Sequence, residues 1–134
     1  MSAHEFVNPP ELLPGQGFSH LAIAAAGETV YVAGQTAHQA DGSVTGTTMA
    51  EQADAALGNL AIALQTVGAE PAHLVAMQIY VTDVGAYRAA LAEIGASWRD
   101  HLGKHYPTVS LFGIAELFDP DAMIEILATA VIPT

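Results

Sequence analysis

Two apolar segments near the C-terminus, residues 106–114 and 123–131, constrain the fold most strongly. Both are rich in apolar and β-branched side chains that alternate along the chain, a pattern typical of β-strands. Asp119-Pro120-Asp121 lies between them, and a proline flanked by aspartates favours a turn. The chain is therefore expected to end in two strands joined by this turn.

The first third of the chain is expected to supply an arm and further strands. Residues 1–17 contain three prolines and two glycines, which predicts an extended N-terminal arm. Residues 20–26 and 29–33 are β-prone runs on either side of a Gly-Glu pair, and this arrangement predicts a β-hairpin. Residues 44–46 can add a short strand after the next turn.

The middle of the chain predicts two helices with a strand between them. Thr48 and Glu51 form the capping-box pattern, so that a helix is expected to begin there and to end at Gly68. Residues 74–81 alternate in polarity and predict a strand, after which Asp83 is a suitable N-cap for a second helix. The buried stripe of that helix is expected to consist of Tyr87, Leu91, Ile94, Trp98 and Leu102.

This order of elements predicts one domain over residues 1–134 with an α+β fold. The expected architecture is a two-layer sandwich, in which two helices cover one face of a mixed six-stranded sheet. Val109, Leu111 and Leu127 are expected to project from the other face of the sheet. Because apolar side chains on that face need cover, we expect it to pack against other subunits.

The composition also favours an assembly and excludes some partners. Apolar residues make up 51% of the chain and charged residues 13%, which is more apolar material than one small core usually buries. Fourteen acids face only three bases, Arg88, Arg99 and Lys104, for a net charge of -11. Such a field repels phosphate backbones, so we expect no binding to nucleic acid.

Several other sites and locations are not expected. The chain has no cysteine, and its histidines lack the spacing of a metal site. Nothing in the sequence indicates a bound cofactor, a secretory signal or a membrane span, so we expect a cytoplasmic protein with no membrane partner.

The two C-terminal strands also carry motifs that resemble those of the RidA (YjgF) family. Residues 107–110 read Pro-Thr-Val-Ser, where the family has Pro-x-Arg-Ser, and residues 124–127 read Ile-Glu-Ile-Leu, where it has Ile-Glu-Ile-Glu. Further matches are Tyr-Val-Ala-Gly-Gln at 31–35, Gln52 with Asn59-Leu60, Gly68-Ala69, and Ile-Tyr-Val-Thr-Asp at 79–83. The resemblance implies a homotrimer with a ligand cleft at each subunit interface. Family members with deaminase activity hydrolyse enamines and imines there, to ketoacids and ammonia.

Carried over by position, the resemblance implies a ligand pocket that is mostly apolar in this chain. The glycine whose backbone contacts the ligand is retained as Gly34, and the covering aromatic ring is Phe18, next to Ser19. The other positions hold hydrocarbon: Leu91 for an asparagine, Val109 for the arginine, Leu111 for a small or thiol residue, and Leu127 for the glutamate. Valine has no donor for a carboxylate, so a small anionic imine should bind poorly and a larger, less polar ligand better.

Glu125 and His20 are the candidate catalytic residues. Glu125 is two positions before Leu127, so it should share a sheet face with Leu127 and could act as a general acid or base. Alternatively, it is a structural acid at the subunit interface, bonded to backbone, to Ser110 or to Thr108. His20 lies near Phe18 and could transfer protons near neutral pH, or it could be an ordinary hydrogen-bonded histidine.

Two functions from different classes remain open. The first is a hydrolase or deaminase-like enzyme for an imine, an enamine or a related metabolite that is bulkier or less acidic than 2-aminoacrylate. The second is a non-catalytic trimer that binds an apolar small molecule as a sensor or an accessory protein.

Overall fold

The computed structural model describes residues 2–134, which form six strands and three helices around one core. A short 3-10 helix, Pro71–His73, precedes the fourth strand. In chain order the elements are β1 (Glu5–Val7), β2 (Leu21–Ile23), β3 (Gly27–Gln35), α1 (Met49–Thr66), β4 (Leu74–Val81), α2 (Val84–Ala89), α3 (Leu91–Leu102), β5 (Thr108–Gly113) and β6 (Ile124–Pro133).

The α+β fold with a mixed sheet is confirmed. The main sheet has the strand order β3-β6-β4-β5, in which β4 and β5 are parallel and the other neighbours are antiparallel. The helix layer buries leucines of α1 (Leu57, Leu60, Leu64) in the core, where α1 lies over β3 and β6. Each buried leucine stabilises the fold by about 1.5–3 kcal/mol, which makes this contact between the layers the centre of the core.

The six strands do not form one sheet, and the expected hairpin is wrong. β2 pairs with β1, antiparallel, in a separate two-stranded sheet. β6 pairs with β3 from Gly27 onward, and a Cβ on Gly27 would lie 2.1 Å from the carbonyl oxygen of Ile132. The ten-residue strand β6 is the antiparallel partner of β3, so β3 does not pair with β2. The partner of β2 is β1, a strand within the N-terminal arm. The predicted arm is not extended throughout: Glu5–Val7 are part of a sheet, and the backbone N–H of Leu12 donates to the carbonyl oxygen of Pro9 in a turn.

The second predicted helix is divided into α2 and α3 at Ala90. Asp83 caps α2 as expected, because its carboxylate accepts a hydrogen bond from the backbone N–H of Ala86. Ala90 leaves helical geometry with φ -97° and ψ 12°, and α3 begins at the next residue. The break turns Leu91 away from the core, with 56% of its surface exposed, whereas Ile94, Trp98 and Leu102 remain buried as predicted.

The strand register decides which side chains share a face of the main sheet. Val109 and Leu111 of β5 pair with Met77 and Ile79 of β4, which face the helices. The expectation that Val109 and Leu111 lie on the other face is therefore wrong. Alternation fixes only which residues of a strand share a face, whereas the pairing of β5 with β4 decides which face that is.

The face of the main sheet that points away from the helices is called here the open face. Its residues are exposed or half-buried and include Tyr31, Gln78, Tyr80, Phe112, Glu125 and Leu127. The rings of Tyr80 and Phe112 stack with their centroids 5.4 Å apart, and 81% of Tyr31 is exposed. Leu127 lies on this face as predicted, and Glu125 lies beside it on the same strand.

Candidate functional site

A cavity of about 530 Å³ lies between α3, the parallel strands β4 and β5, and the segment before β2. It is called here the α3 cavity, and its volume is within the range of small-molecule sites. Its lining is mostly apolar and consists of Gln16, Gly17, Phe18, Ile79, Tyr87, Leu91, Ile94, Gly95, Trp98, Arg99, Tyr106, Val109 and Leu111.

The α3 cavity brings together four of the predicted pocket residues, Phe18, Leu91, Val109 and Leu111. Val109 and Leu111 reach it because their strand faces the helices. Leu91 reaches it because the break at Ala90 places it, exposed, at the start of α3. The other predicted residues lie outside the lining, so a single chain assembles only part of the expected site.

Ser19 has a structural role that explains the position of Phe18. Its hydroxyl donates to the carbonyl oxygen of Tyr106 at 2.7 Å, and its backbone N–H donates to that of Pro107 at 3.0 Å. Ser19 is buried and forms a bridge beside the first residue of β5. These bonds fasten the segment before β2 to β5 and hold the ring of Phe18 at the cavity, while Ser19 itself does not line it.

His20 is not among the residues that line the α3 cavity, but it contacts Phe18, which is. The Nε2 atom of His20 lies 2.6 Å from the carbonyl oxygen of Leu13, and its backbone N–H donates to the Oδ1 atom of Asn8. Its ring packs edge-on against Phe18, with the centroids 5.1 Å apart. These contacts support a positioning role, and a role for His20 as a proton carrier stays a prediction.

Two aromatic side chains of the α3 cavity carry polar groups, the hydroxyl of Tyr87 and the indole N–H of Trp98. Burial raises the pKa of the Tyr87 hydroxyl above its usual value of 10.0, so this phenol stays protonated and able to donate at neutral pH. The indole N–H of Trp98 donates to the carbonyl oxygen of His105 at 3.0 Å, which fixes the ring against the cavity. The lining contains no carboxylate and no histidine, so within one chain it offers apolar surface and hydrogen-bond donors but no general base of either kind.

Glu125 and Gly34 lie together on the open face, opposite the α3 cavity. A Cβ on Gly34 would lie 2.6 Å from the Cδ atom of Glu125, so only glycine allows the carboxylate to rest on this backbone. The strand is irregular here, between Val32 and Gln35, which lets the backbone approach the neighbouring strand's side chain. Leu127 is the next residue on this face of β6.

Within the part of the chain that the structure describes, the carboxylate of Glu125 has no hydrogen-bond or salt-bridge partner. The hydroxyl of Thr108 donates to the carbonyl oxygen of Val75 at 3.0 Å, so it is not available to Glu125. Among residues 2–134, no hydrogen bond and no salt bridge to the Glu125 carboxylate is formed. Neither Ser110 nor Thr108 of the same chain therefore holds the Glu125 carboxylate, and a structural role for it at a subunit interface stays a prediction.

Comparison with known proteins identifies the family. The family model described as "Endoribonuclease L-PSP" matches residues 10–132. A Yersinia pestis protein of unknown function of the conserved Rid protein family, YyfB, is 32% identical, with a TM-score of 0.86 over 96% of this chain and 98% of that one. The chain belongs to the RidA (YjgF) family.

More distant RidA-family structures share the fold. A member of the YjgF/YER057c/UK114 family from Mycobacterium tuberculosis is 28% identical, with a TM-score of 0.64 over 97% of this chain and all of that one. RidA from an Antarctic Psychrobacter is 20% identical, with a TM-score of 0.68 over 81% of this chain and 85% of that one. The comparison with curated proteins finds no match.

Several lining residues of this RidA-family member were not predicted as site residues. Ile94 and Trp98 were assigned only to the core, and Arg99 was counted only as a charge. The helical spacing does hold a usable signal, since Gly95, Trp98 and Arg99 follow Leu91 at intervals of three and four residues on one helix face. The missing information is that β5 presents its apolar residues to this face.

A second cavity, of about 600 Å³, lies among the loops beyond the ends of β4 and β5. Glu116 and Asp121 line it, but none of the predicted pocket residues does. Within residues 2–134, no group of three or more potential metal ligands is found, and no helix is long and apolar enough to cross a membrane. The α3 cavity and the Glu125–Gly34 pair thus remain the candidate functional features.

Proposed function

We propose that the chain is a RidA-family hydrolase of the deaminase-like type. Its substrate would be an imine, an enamine or a related metabolite that is bulkier or less acidic than 2-aminoacrylate. The observation that carries the proposal is the half-buried Glu125 carboxylate, which rests on Gly34 without a hydrogen-bond partner in the chain.

The division of the site between two faces supports assembly as a homotrimer. Phe18, Leu91, Val109 and Leu111 face the helices, whereas Gly34, Glu125 and Leu127 lie on the open face. No rearrangement within one chain joins two faces of one sheet. A neighbouring copy that covers the open face with the rim of its own α3 cavity would bring both sets into one cleft between subunits.

In such a cleft each set has a distinct chemical task. The apolar lining holds the body of the substrate and excludes water around the reacting C=N bond. Glu125 takes a proton from a water molecule as it attacks the imine carbon and passes this proton to the imine nitrogen. It then takes the proton of the new hydroxyl group and passes it to the same nitrogen as the C–N bond breaks, so that a ketone and ammonia leave. The Gly34 backbone stands beside the carboxylate and can bind the substrate without a side chain in the way.

RNA is not the proposed substrate, although the family model carries the word endoribonuclease. The three bases of the chain, Arg88, Arg99 and Lys104, are confined to residues 88–104 and face fourteen acids. A phosphate backbone needs several cations to offset its own charge. The charge of this molecule opposes that contact.

The proposal predicts selectivity between small and large imines. Imines formed in situ from leucine or phenylalanine by an amino-acid oxidase carry an apolar body that the lining can hold, so they should be hydrolysed. 2-Aminoacrylate lacks that body, and Val109 and Leu127 stand where the family has polar groups to hold it, so it should give little ketoacid. The measurement is ketoacid release, with unhydrolysed imine trapped as its semicarbazone. E125Q should lower turnover by about 100-fold or more, while E28Q, on an exposed strand position, should not.

Robust turnover of 2-aminoacrylate would contradict the argument from Val109 and Leu127. Equal rates for E125Q and the unmodified chain would remove Glu125 from the mechanism.

The second candidate is a small-molecule binding protein without catalysis. It is favoured by one specific observation: the lining of the α3 cavity is formed within a single chain and includes no carboxylate and no histidine. Saturable binding of a hydrophobic ligand together with no hydrolysis of any imine would establish this alternative.

A further inference from the structure

We propose that the α3 cavity binds an amphipathic monocarboxylate, whose acid group is held by Arg99 while its aromatic or branched apolar body packs against Val109, Leu111 and Trp98. The inference rests on the same cavity as the proposed function. It does not require catalysis, since it concerns only which ligand the cavity selects.

The charge of the lining is the first observation. The chain has only three basic residues among fourteen acids, yet Arg99 is the one charged residue among the thirteen that line the cavity. Because acids outnumber bases in this chain, a charged residue taken at random would be an acid more often than a base. The lining therefore presents a positive group to a hydrophobic space within a molecule that is strongly negative elsewhere.

The second observation is that the guanidinium of Arg99 is not occupied by the protein. Within residues 2–134 no carboxylate lies within 4.0 Å of it, and no hydrogen bond from its side chain is formed. Its Nη1 atom lies 3.5 Å from the position that a Cβ on Gly95 would take, one helical turn earlier. The side chain thus folds back along α3 over Gly95, which itself lines the cavity.

A simpler role for Arg99 follows from its position in the last turn of α3. A cation there interacts favourably with the helix C-terminus, an effect of a few tenths of a kcal/mol to about 1 kcal/mol. That role accounts for a base near residue 99 but not for its conformation: Arg99 is exposed, yet its guanidinium lies over Gly95, among the residues that line the cavity. The two roles differ in their consequences, because only the ligand role changes which compounds bind.

The chemistry of the lining defines the ligand class. A guanidinium binds a carboxylate through two parallel hydrogen bonds, and the protonated hydroxyl of Tyr87 can donate one more. The rest of the lining is hydrocarbon and aromatic surface, so a ligand with a second charge would leave it unpaired and desolvated. One acid group on a hydrophobic body satisfies both parts. The family arginine position is Val109, so the anchor lies on a helix here and no longer on β5.

The test uses Trp98, the single tryptophan of the chain, as the reporter, because it lines the cavity. Titration of the full chain with 3-phenylpropionate should change the tryptophan fluorescence saturably. The amide of the same acid, and acetate, should each bind about tenfold more weakly or worse, since one lacks the charge and the other the apolar body. R99Q should lose about tenfold in affinity for the acid while its affinity for the amide stays unchanged.

Matched variants keep the result interpretable. R88Q removes an exposed cation outside the lining and should leave both affinities unchanged, and R99K should retain part of the preference for the acid. Equal binding of acid and amide, an R99Q variant with unaltered preference, or no binding of 3-phenylpropionate would each overturn the proposal. Carboxylate-selective binding without imine hydrolysis would uphold this inference while contradicting the proposed enzyme.

Discussion

His105 lies where the N-terminal arm meets the start of β5. Its ring packs edge-on against Phe6 at 5.1 Å between centroids, and its Nε2 atom lies 2.8 Å from the carbonyl oxygen of Leu74. Burial lowers the pKa of His105 below its usual value of 6.5, and the nearby His4 and His73 lower it further, although the bond to Leu74 acts in the opposite direction. The folded chain therefore favours the neutral imidazole.

This lowered pKa predicts a loss of stability in mild acid. The unfolded chain takes up the proton at about pH 6.5, before the folded chain does, so the free energy of unfolding should fall as the pH drops from 6.5 through the lowered pKa. Urea unfolding at a series of pH values measures this slope. H105Q, which keeps a donor for Leu74, should show a shallower slope over the same range. An equal slope in both proteins would mean that His105 does not contribute.

At the residue scale, the sequence predicts which side chains are apolar but not where they point. Val109 and Leu111 alternate correctly, yet they face the helices because β5 lies in register with Met77 and Ile79. Glu125 and Leu127 were correctly expected on one face, since that follows from alternation alone. Their closeness to Gly34 depends on the irregular pairing of β3 with β6, which no local pattern shows.

At the element scale, α1 does more than cover the sheet. Gln52 is 1% exposed, and its side-chain amide donates to the carbonyl oxygens of Gly46 and Asp121 at 3.2 and 2.9 Å. Its Oε1 atom accepts from the backbone N–H of Met123 at 2.8 Å. One side chain of the helix thus joins the loop before α1 to the start of β6.

Removal of this side chain should destabilise the chain strongly. Q52A removes three hydrogen bonds to backbone groups of half-buried Gly46 and Met123 and of exposed Asp121, and at about 0.5–1.5 kcal/mol per bond we expect a loss of about 2–4 kcal/mol in the free energy of unfolding. Q65A is the matched control, because Gln65 is exposed on the same helix and its loss should cost within about 0.5 kcal/mol. Chemical denaturation of both variants measures the difference. A loss for Q52A as small as that for Q65A would contradict this account.

Elements with local signals were predicted well, and those with distant partners were not. The capping box of Thr48 and Glu51 and the left-handed Gly68 (φ 76°) are both present, because each depends on neighbouring residues. The sequence does not predict the pairing of β2 with β1, because the paired residues lie about 16 positions apart along the chain, across an irregular segment. The break between α2 and α3 lies at an alanine, Ala90, and not at a glycine or proline that would have indicated it in the sequence.

At the scale of the whole molecule, the open face determines how copies of the chain can associate. It presents Leu127 and the stacked Tyr80–Phe112 pair without cover from the helix layer, which faces the opposite side of the sheet. Apolar surface in that position favours burial against other subunits. The proposed trimer makes this face its interior.

A charge on the open face should therefore disrupt the assembly. L127K places an ammonium group within the proposed interface, and we expect light scattering to show a fall from the trimer mass to that of the monomer. I62K introduces a lysine in the same way, but at an exposed apolar position of α1, and should leave the mass of the assembly unchanged. A trimer that survives L127K, or a monomer without any substitution, would contradict the proposed arrangement.

The confinement of all three bases to residues 88–104 has a consequence for the approach of ligands. Residues 88–104 carry all three bases and only two acids, Glu93 and Asp100, so this stretch is positive within a chain of charge -11. A diffusing anion is repelled least near such a stretch. Arg99 belongs to it and lines the α3 cavity, so the cavity has the base that a negatively charged protein needs beside a site that an anion is to reach.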